Sequence, residues 1–164
     1  MVPRMGALPV PMRDVYTMPG HLIRRAQQIS SALFAEECAA FDLTSVQFAA
    51  LMAIRANPGV DATRLSQLIA FDRSTIGGVL DRLEGKGWIE RGPSPGDRRI
   101  KLIGLTAEGA ALLEQVKPAV ERVQQRILSP LAPEDRSTML RLLGILTAVH
   151  NEVTSAPLSI PEPS

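Results

Sequence analysis

Between Arg73 and Lys101 the chain gathers seven basic residues against four acidic ones, a local excess of +3 on a chain whose formal net charge is only +1. On a helix, Ile76, Val79, Leu80 and Leu83 recur at i, i+3, i+4 and i+7, an apolar stripe suited to a core. Opposite it fall Arg73, Ser74, Thr75, Gly78, Asp81 and Arg82, with Gly77 beside them. Short side chains let a helix backbone approach a polyanion closely, and longer charged ones then reach phosphates or base edges. Further on, Asp97, Arg98, Arg99 and Lys101 follow the turn-rich run Gly92-Pro93-Ser94-Pro95-Gly96. Arg99 and Lys101 alternate with Ile100 and Leu102, so the apolar pair anchors a strand while the basic pair faces out. An arginine at such a tip can enter a narrow minor groove, where the potential is most negative. The chemistry these residues offer is charge neutralisation and hydrogen bonding on duplex DNA. For the hairpin alone, a solvated charged loop is the alternative.

The glycine pair needs an explanation, because each mid-helix glycine costs roughly 1 kcal/mol relative to alanine. Either the helix must come close to a DNA backbone at Gly77 and Gly78, or it packs tightly against the preceding helix.

The surrounding pattern predicts the elements that would hold these groups. A first helix runs from a Thr17 cap to about Ala40, with Leu22, Ala26, Ile29 and Leu33 on one face. A second opens on a Thr44/Gln47 capping box, with Leu43 and Phe48 placed as a hydrophobic staple, and ends before Asn57-Pro58-Gly59. A short third helix, capped by Asp61, is followed after Ala70-Phe71 by the fourth, capped by Asp72 and stopped by Gly85 and Gly87. From Trp88 to Leu105 the period shifts toward two, as in a β-hairpin with a long loop. A fifth helix, capped by Thr106, carries Leu113, Val116, Val120, Val123 and Ile127 at alternating spacings of three and four, the seam of a coiled coil between subunits. A sixth begins near Pro133-Glu134 and aligns Met139, Leu142, Leu143, Leu146 and Val149. The expected class is mainly α with a small β-hairpin wing: a winged helix-turn-helix that dimerises through its N- and C-terminal helices.

Length and composition are consistent with this. The 164 residues suit one domain. It is expected over 17–154, with a DNA-binding lobe at about 44–105, dimerisation helices at about 17–40 and 106–154, and unfolded tails at 1–16 and 155–164. Apolar residues make up 45% of the chain and aromatic ones 4%, a mix that favours helices over a β-sandwich. The low net charge excludes a histone-like coating of nucleic acid. No apolar run approaches the roughly 20 residues of a membrane span. One cysteine, Cys38, cannot form an internal disulfide, and no charged-then-apolar leader opens the chain, so a cytoplasmic address is expected. A glycine-rich phosphate loop, a nucleophile elbow and metal-ligand spacing are all missing, so neither an enzyme nor a bound metal or cofactor is expected.

Leu80-Asp81-Arg82-Leu83-Glu84, Gly87-Trp88-Ile89-Glu90-Arg91, Pro95-Gly96-Asp97-Arg98-Arg99 and Leu105-Thr106-Ala107-Glu108-Gly109 resemble the MarR family of bacterial regulators. The resemblance implies a triangular dimer with interlocked terminal helices, reading a pseudo-palindromic site in double-stranded DNA with the fourth helix and wing of each subunit. It also implies that Asp97 holds the wing and Arg99 reaches the minor groove, although Asp97 is equally suited to an ordinary turn.

Members of the family often release DNA on binding a small anionic aromatic molecule between the dimer helices and the DNA-binding lobe. In this chain the candidate effector group is His21, Arg24, Arg25 and Gln28, a polar stripe at i, i+3, i+4 and i+7, together with Phe48. Salt bridges across the dimer, or simple solvation, are the alternatives. Met18-Pro19-Gly20-His21-Leu22-Ile23-Arg24-Arg25 resembles a subgroup tied to catabolism of aromatic acids, whose effectors include free acids and coenzyme A thioesters. Two rival readings are a redox sensor built on Cys38, against its use as a small buried hydrophobe, and a winged helix used for protein contact.

Overall fold

The computed structural model describes residues 12–160, with side chains from Asp14 onward. A one-turn helix α1 (Met12–Val15) precedes α2 (Pro19–Glu37), α3 (Ser45–Ala56), α4 (Ala62–Leu68) and α5 (Arg73–Gly85). The strands β1 (Ile89–Pro93) and β2 (Lys101–Leu105) then pair antiparallel, from Ile89 opposite Leu105 to Pro93 opposite Lys101, and α6 (Ala107–Leu128) and α7 (Pro133–Val149) complete the order. No described helix is long and apolar enough to cross a membrane.

Local chemistry accounts for most helix starts. The Thr44 hydroxyl accepts from the Gln47 amide at 3.2 Å while Gln47 Oε1 accepts from the Thr44 amide at 3.1 Å, a complete capping box that satisfies orphan donors at the start of α3. Asp61 accepts from the Arg64 amide at 2.9 Å, Asp72 from the Ser74 amide at 2.8 Å, and Thr106 from the Gly109 amide at 3.0 Å. The first long helix departs from expectation. It starts at Pro19, whose fixed φ suits the first helical position, and the Thr17 hydroxyl instead donates to the Asp14 carbonyl at 3.0 Å.

The core joins Phe34 and Cys38 of the α2 end, Leu51 and Ile54 of α3, Leu65 of α4, the Ile76/Leu80/Leu83 stripe of α5, Ile103 of β2 and the inner face of α6. At the junction of hairpin and α6, a Cβ at Gly109 would lie 2.0 Å from the Trp88 carbonyl oxygen, so no side chain fits there. The same carbonyl accepts from the Thr106 amide at 3.1 Å, which seats α6 directly on the base of the hairpin.

The expected seam on α6 must be corrected. Val116 and Val123 are 0% and 1% exposed within a single protomer, Leu113 is also buried, and Val120 and Ile127 are half-buried against the same core. These residues pack α6 within its own chain. Spacings of three and four mark a packed helix face without saying which chain supplies the other side. Polar contacts reinforce the α2–α6 pairing: Glu37 accepts from Arg122 at 2.9 Å and from Arg126 at 2.9 Å, and these guanidinium groups hold its carboxyl below the usual range. The apolar surface left open lies on α2 (Leu22, Ile29) and on α7, where Leu146 and Val149 are 47% and 71% exposed.

The expected tails fall partly outside the described residues. Within them, Met12–Val15 makes a helical turn, and residues 155–160 return to α4 through a 3.0 Å bond from the Ser159 amide to the Gln67 carbonyl.

Candidate nucleic-acid interface

The outer flank of α5 is assembled from its cap upward. Asp72 Oδ1 accepts from both the amide and the hydroxyl of Ser74 at 2.8 Å, and these bonds hold the Asp72 carboxyl below its ordinary range. The Thr75 hydroxyl donates to the Asp72 carbonyl at 3.1 Å, and Arg73 donates to the Thr63 hydroxyl of α4. Arg73, Ser74, Thr75, Gly77, Gly78, Asp81 and Arg82 are all exposed, while Ile76, Val79, Leu80 and Leu83 are buried beneath them. A Cβ built at Gly77 or Gly78 meets nothing within 4 Å, so packing against α4 does not explain the pair.

The wing tip is a closed turn. Ser94 N–H donates to the Ile100 carbonyl at 2.9 Å, Ile100 N–H to the Asp97 carbonyl at 3.0 Å, and Arg99 N–H to Asp97 Oδ1 at 2.9 Å. The two readings of Asp97 thus coincide, because the side-chain bond that makes it a turn residue also sets the backbone of Arg99. Ile100 is 42% exposed and sits in the tip, not the strand; the anchor of β2 is Ile103, with Leu102 half-buried. Alternation alone placed the anchor too early because the strand begins at Lys101. Arg98, Arg99 and Lys101 are exposed, and like Arg82 they make no ion pair among the described residues.

Asp81 has a partner that its position on the helix did not reveal. Arg91 of β1 donates to Asp81 Oδ1 at 2.8 Å and through Nε to Glu84 Oε2 at 3.0 Å, and it holds the Glu84 carboxyl below the usual glutamate range. Asp81 therefore serves to fasten the wing to α5. Behind the wing, Lys86 pairs with Asp42 Oδ2 at 2.8 Å and lies 4.7 Å above the Trp88 ring, so its charge is turned inward. These partners are remote in sequence or on different elements, and only the charge types hinted at them.

A helix-turn-helix with a hairpin wing is thus in place, and comparison with known proteins gives it a family. The MarR family model matches residues 43–101. The transcriptional repressor NicR of Pseudomonas putida is 35% identical over 130 residues, covering 79% of this chain and 82% of that protein. The chain belongs to the MarR family. Among solved structures, BpsR of Bordetella bronchiseptica, whose DNA binding is regulated by 6-hydroxynicotinic acid, superimposes with a TM-score of 0.76 at 32% identity, over 80% of this chain and 94% of that one. A mutant MarR of Escherichia coli complexed with operator DNA gives 0.76 at 30% identity, over 84% and 99%. Like them, this MarR-family chain is a DNA-binding transcription regulator with a winged-helix fold.

The candidate effector residues of this MarR-family regulator are only partly gathered. His21, Arg24, Arg25 and Gln28 follow one another along α2, with Arg24 3.3 Å from His21 Nδ1 and Arg25 donating to Gln28 Oε1 at 2.8 Å. Phe48 does not join them: its half-buried ring packs against Phe34, centroids 6.1 Å apart. None of the five lines the large groove of about 1280 Å³ that adjoins Ile23 on the same helix. Cys38 is 1% exposed, and burial, followed by the charge of Glu37, pushes its thiol pKa up. That environment suits a small core residue and disfavours the thiolate a redox sensor needs.

Proposed function

We propose that this regulator is a cytoplasmic, non-enzymatic repressor that binds a pseudo-palindromic operator as a homodimer. Each α5 enters a major groove, with half-sites centred about 10 bp apart, and each wing places Arg99 in the flanking minor groove. The observation that carries this reading is the contrast among the cations. Arg73, Lys86 and Arg91 are engaged within the protein, whereas Arg82, Arg98, Arg99 and Lys101 are exposed without ion pairs among the described residues. A helix apolar around its circumference is normally covered, and α7 carries Leu140, Leu142, Leu143, Ile145 and Leu146 in the open. We assign the dimer contact to α7 and the apolar face of α2, with α6 packed against α2 from within the protomer.

The deciding experiment is operator titration across a salt series. Arg99→Ala should weaken binding and reduce the salt slope by about one per subunit. Binding that matches the parent at every salt concentration would remove the wing from the interface and favour a protein-contact module.

Release by a small anionic aromatic acid, or its coenzyme A thioester, is the companion reading, supported by the exposed guanidinium pair on α2 and by the regulation of BpsR by 6-hydroxynicotinic acid. With 6-hydroxynicotinic acid as probe, Arg24→Ala combined with Arg25→Ala should retain operator affinity while losing the response shown by the parent chain. An identical response in both proteins would move the effector site off α2.

A further inference from the structure

The C-terminal end holds an arrangement that DNA reading does not use. Among the described residues α7 makes no side-chain hydrogen bond or ion pair to another helix: Thr138 and Thr147 bond within it, and Arg136 reaches back only to the Leu131 carbonyl. Past its end, however, the chain is caught twice. The Asn151 carboxamide binds the Leu158 backbone in both directions, Nδ2 donating to the carbonyl at 2.9 Å and Oδ1 accepting from the amide at 2.8 Å. That is the donor and acceptor pair a neighbouring strand would present. It folds the intervening residues into a closed loop and delivers Ser159 to α4. There the Ser159 amide donates to the Gln67 carbonyl at 3.0 Å, joining the Ala70 amide that reaches the same oxygen at 3.4 Å at the end of α4, and its hydroxyl accepts from Arg64 at 3.1 Å. Leu158 and Ile160 also line the 1280 Å³ groove, together with Ile23 of α2 and Leu143 and Leu146 of α7.

We propose that residues 155–160 are a strap that fastens the foot of α7 to the first helix of the helix-turn-helix, with Asn151 as the positioning residue that holds it. The helix it grips is joined to α5 by the bond from Arg73 to Thr63. Tension or slack in the strap therefore reaches α5 through a single intermediate element. In a dimer built on α2 and α7, the strap fixes each DNA-binding lobe relative to the dimer helices, and both lobes must be aligned before two half-sites can be met together. Fixing that alignment beforehand favours operator binding by reducing what must be ordered on association.

The inference rests on α5 as the DNA-reading helix, and the test separates the two. Backbone amide exchange at Leu158 and Ser159 in the full chain reports the strap without DNA. Both amides should exchange about tenfold or more below the unstructured rate, and Asn151→Ala should release them. The same variant, and a chain stopped after Thr154, should remain dimeric by sedimentation and bind operator about fivefold or more weakly than the parent. Free exchange at both amides in the parent overturns the strap. So does operator affinity that is unchanged or tighter once the amides have been released. If the amides are protected and the parent fails to bind any operator, the DNA reading falls and takes the strap's role in affinity with it.

Discussion

A carboxylate placed at Val123 should unfold the protomer, not merely separate two of them. Val123 is buried on α6, which packs against α2, in the core cluster that also holds Val116, Phe34 and Cys38. An unpaired ion in such a site costs several kcal/mol even after relaxation, against a total stability of about 5–15 kcal/mol. Val123→Asp should therefore lower the thermal midpoint by about 10 °C or more, or abolish the folded state, as followed by circular dichroism. Leu146→Glu on the open face of α7 provides the contrast: a protomer with near-parental secondary structure that sediments as a monomer. A Val123→Asp chain that is folded, monomeric and melts with the parent would return the seam to the subunit interface. A Leu146→Glu dimer would remove α7 from it.

Alanine at Gly77 and Gly78 should raise stability and lower operator affinity in the same molecule. Neither new methyl group meets protein within 4 Å, and each replacement recovers roughly 1 kcal/mol of helix propensity. Free protein should thus melt higher. On DNA the balance reverses, because two methyl groups on the flank that carries Ser74, Thr75 and Arg82 force the helix outward. Misfit of that kind typically costs about 1–3 kcal/mol, so affinity should fall by about tenfold or more. A stabilised protein with parental operator affinity would leave the glycine pair with no role in recognition.

What could be read from residue order alone was chemistry confined to one or two turns. Thr44 with Gln47, Asp61, Asp72 and Thr106 all cap the helices they were expected to cap, because each bond closes within three residues. The exposed flank of α5 followed from its buried stripe, since a helix of known period has only one opposite side. Questions that depend on a distant partner were not legible. The α6 pattern is the same whether its mate is α2 of one chain or a helix of another. Asp81 shares its flank with Arg82, and nothing local announces that Arg91 of the hairpin has claimed it. Pro157 signals the end of regular structure, yet the segment around it is held by Asn151, six residues earlier in the chain, and by α4. Thr17 is passed over because Pro19 takes the first helical position and leaves Met18 as the cap residue, by a rule as local as the one that suggested Thr17.

The bridge from Arg91 to Asp81 and Glu84 has a consequence for genomes. It ties hairpin and helix into one gauge, and in the proposed mode of binding the interval between the bases beneath the helix and the narrow stretch beneath the tip is set by the protein and not by the promoter. A regulatory region that drifts by one inserted base pair between those two stretches cannot be followed by half of the gauge. Target sites should therefore change by letter while keeping their internal distances.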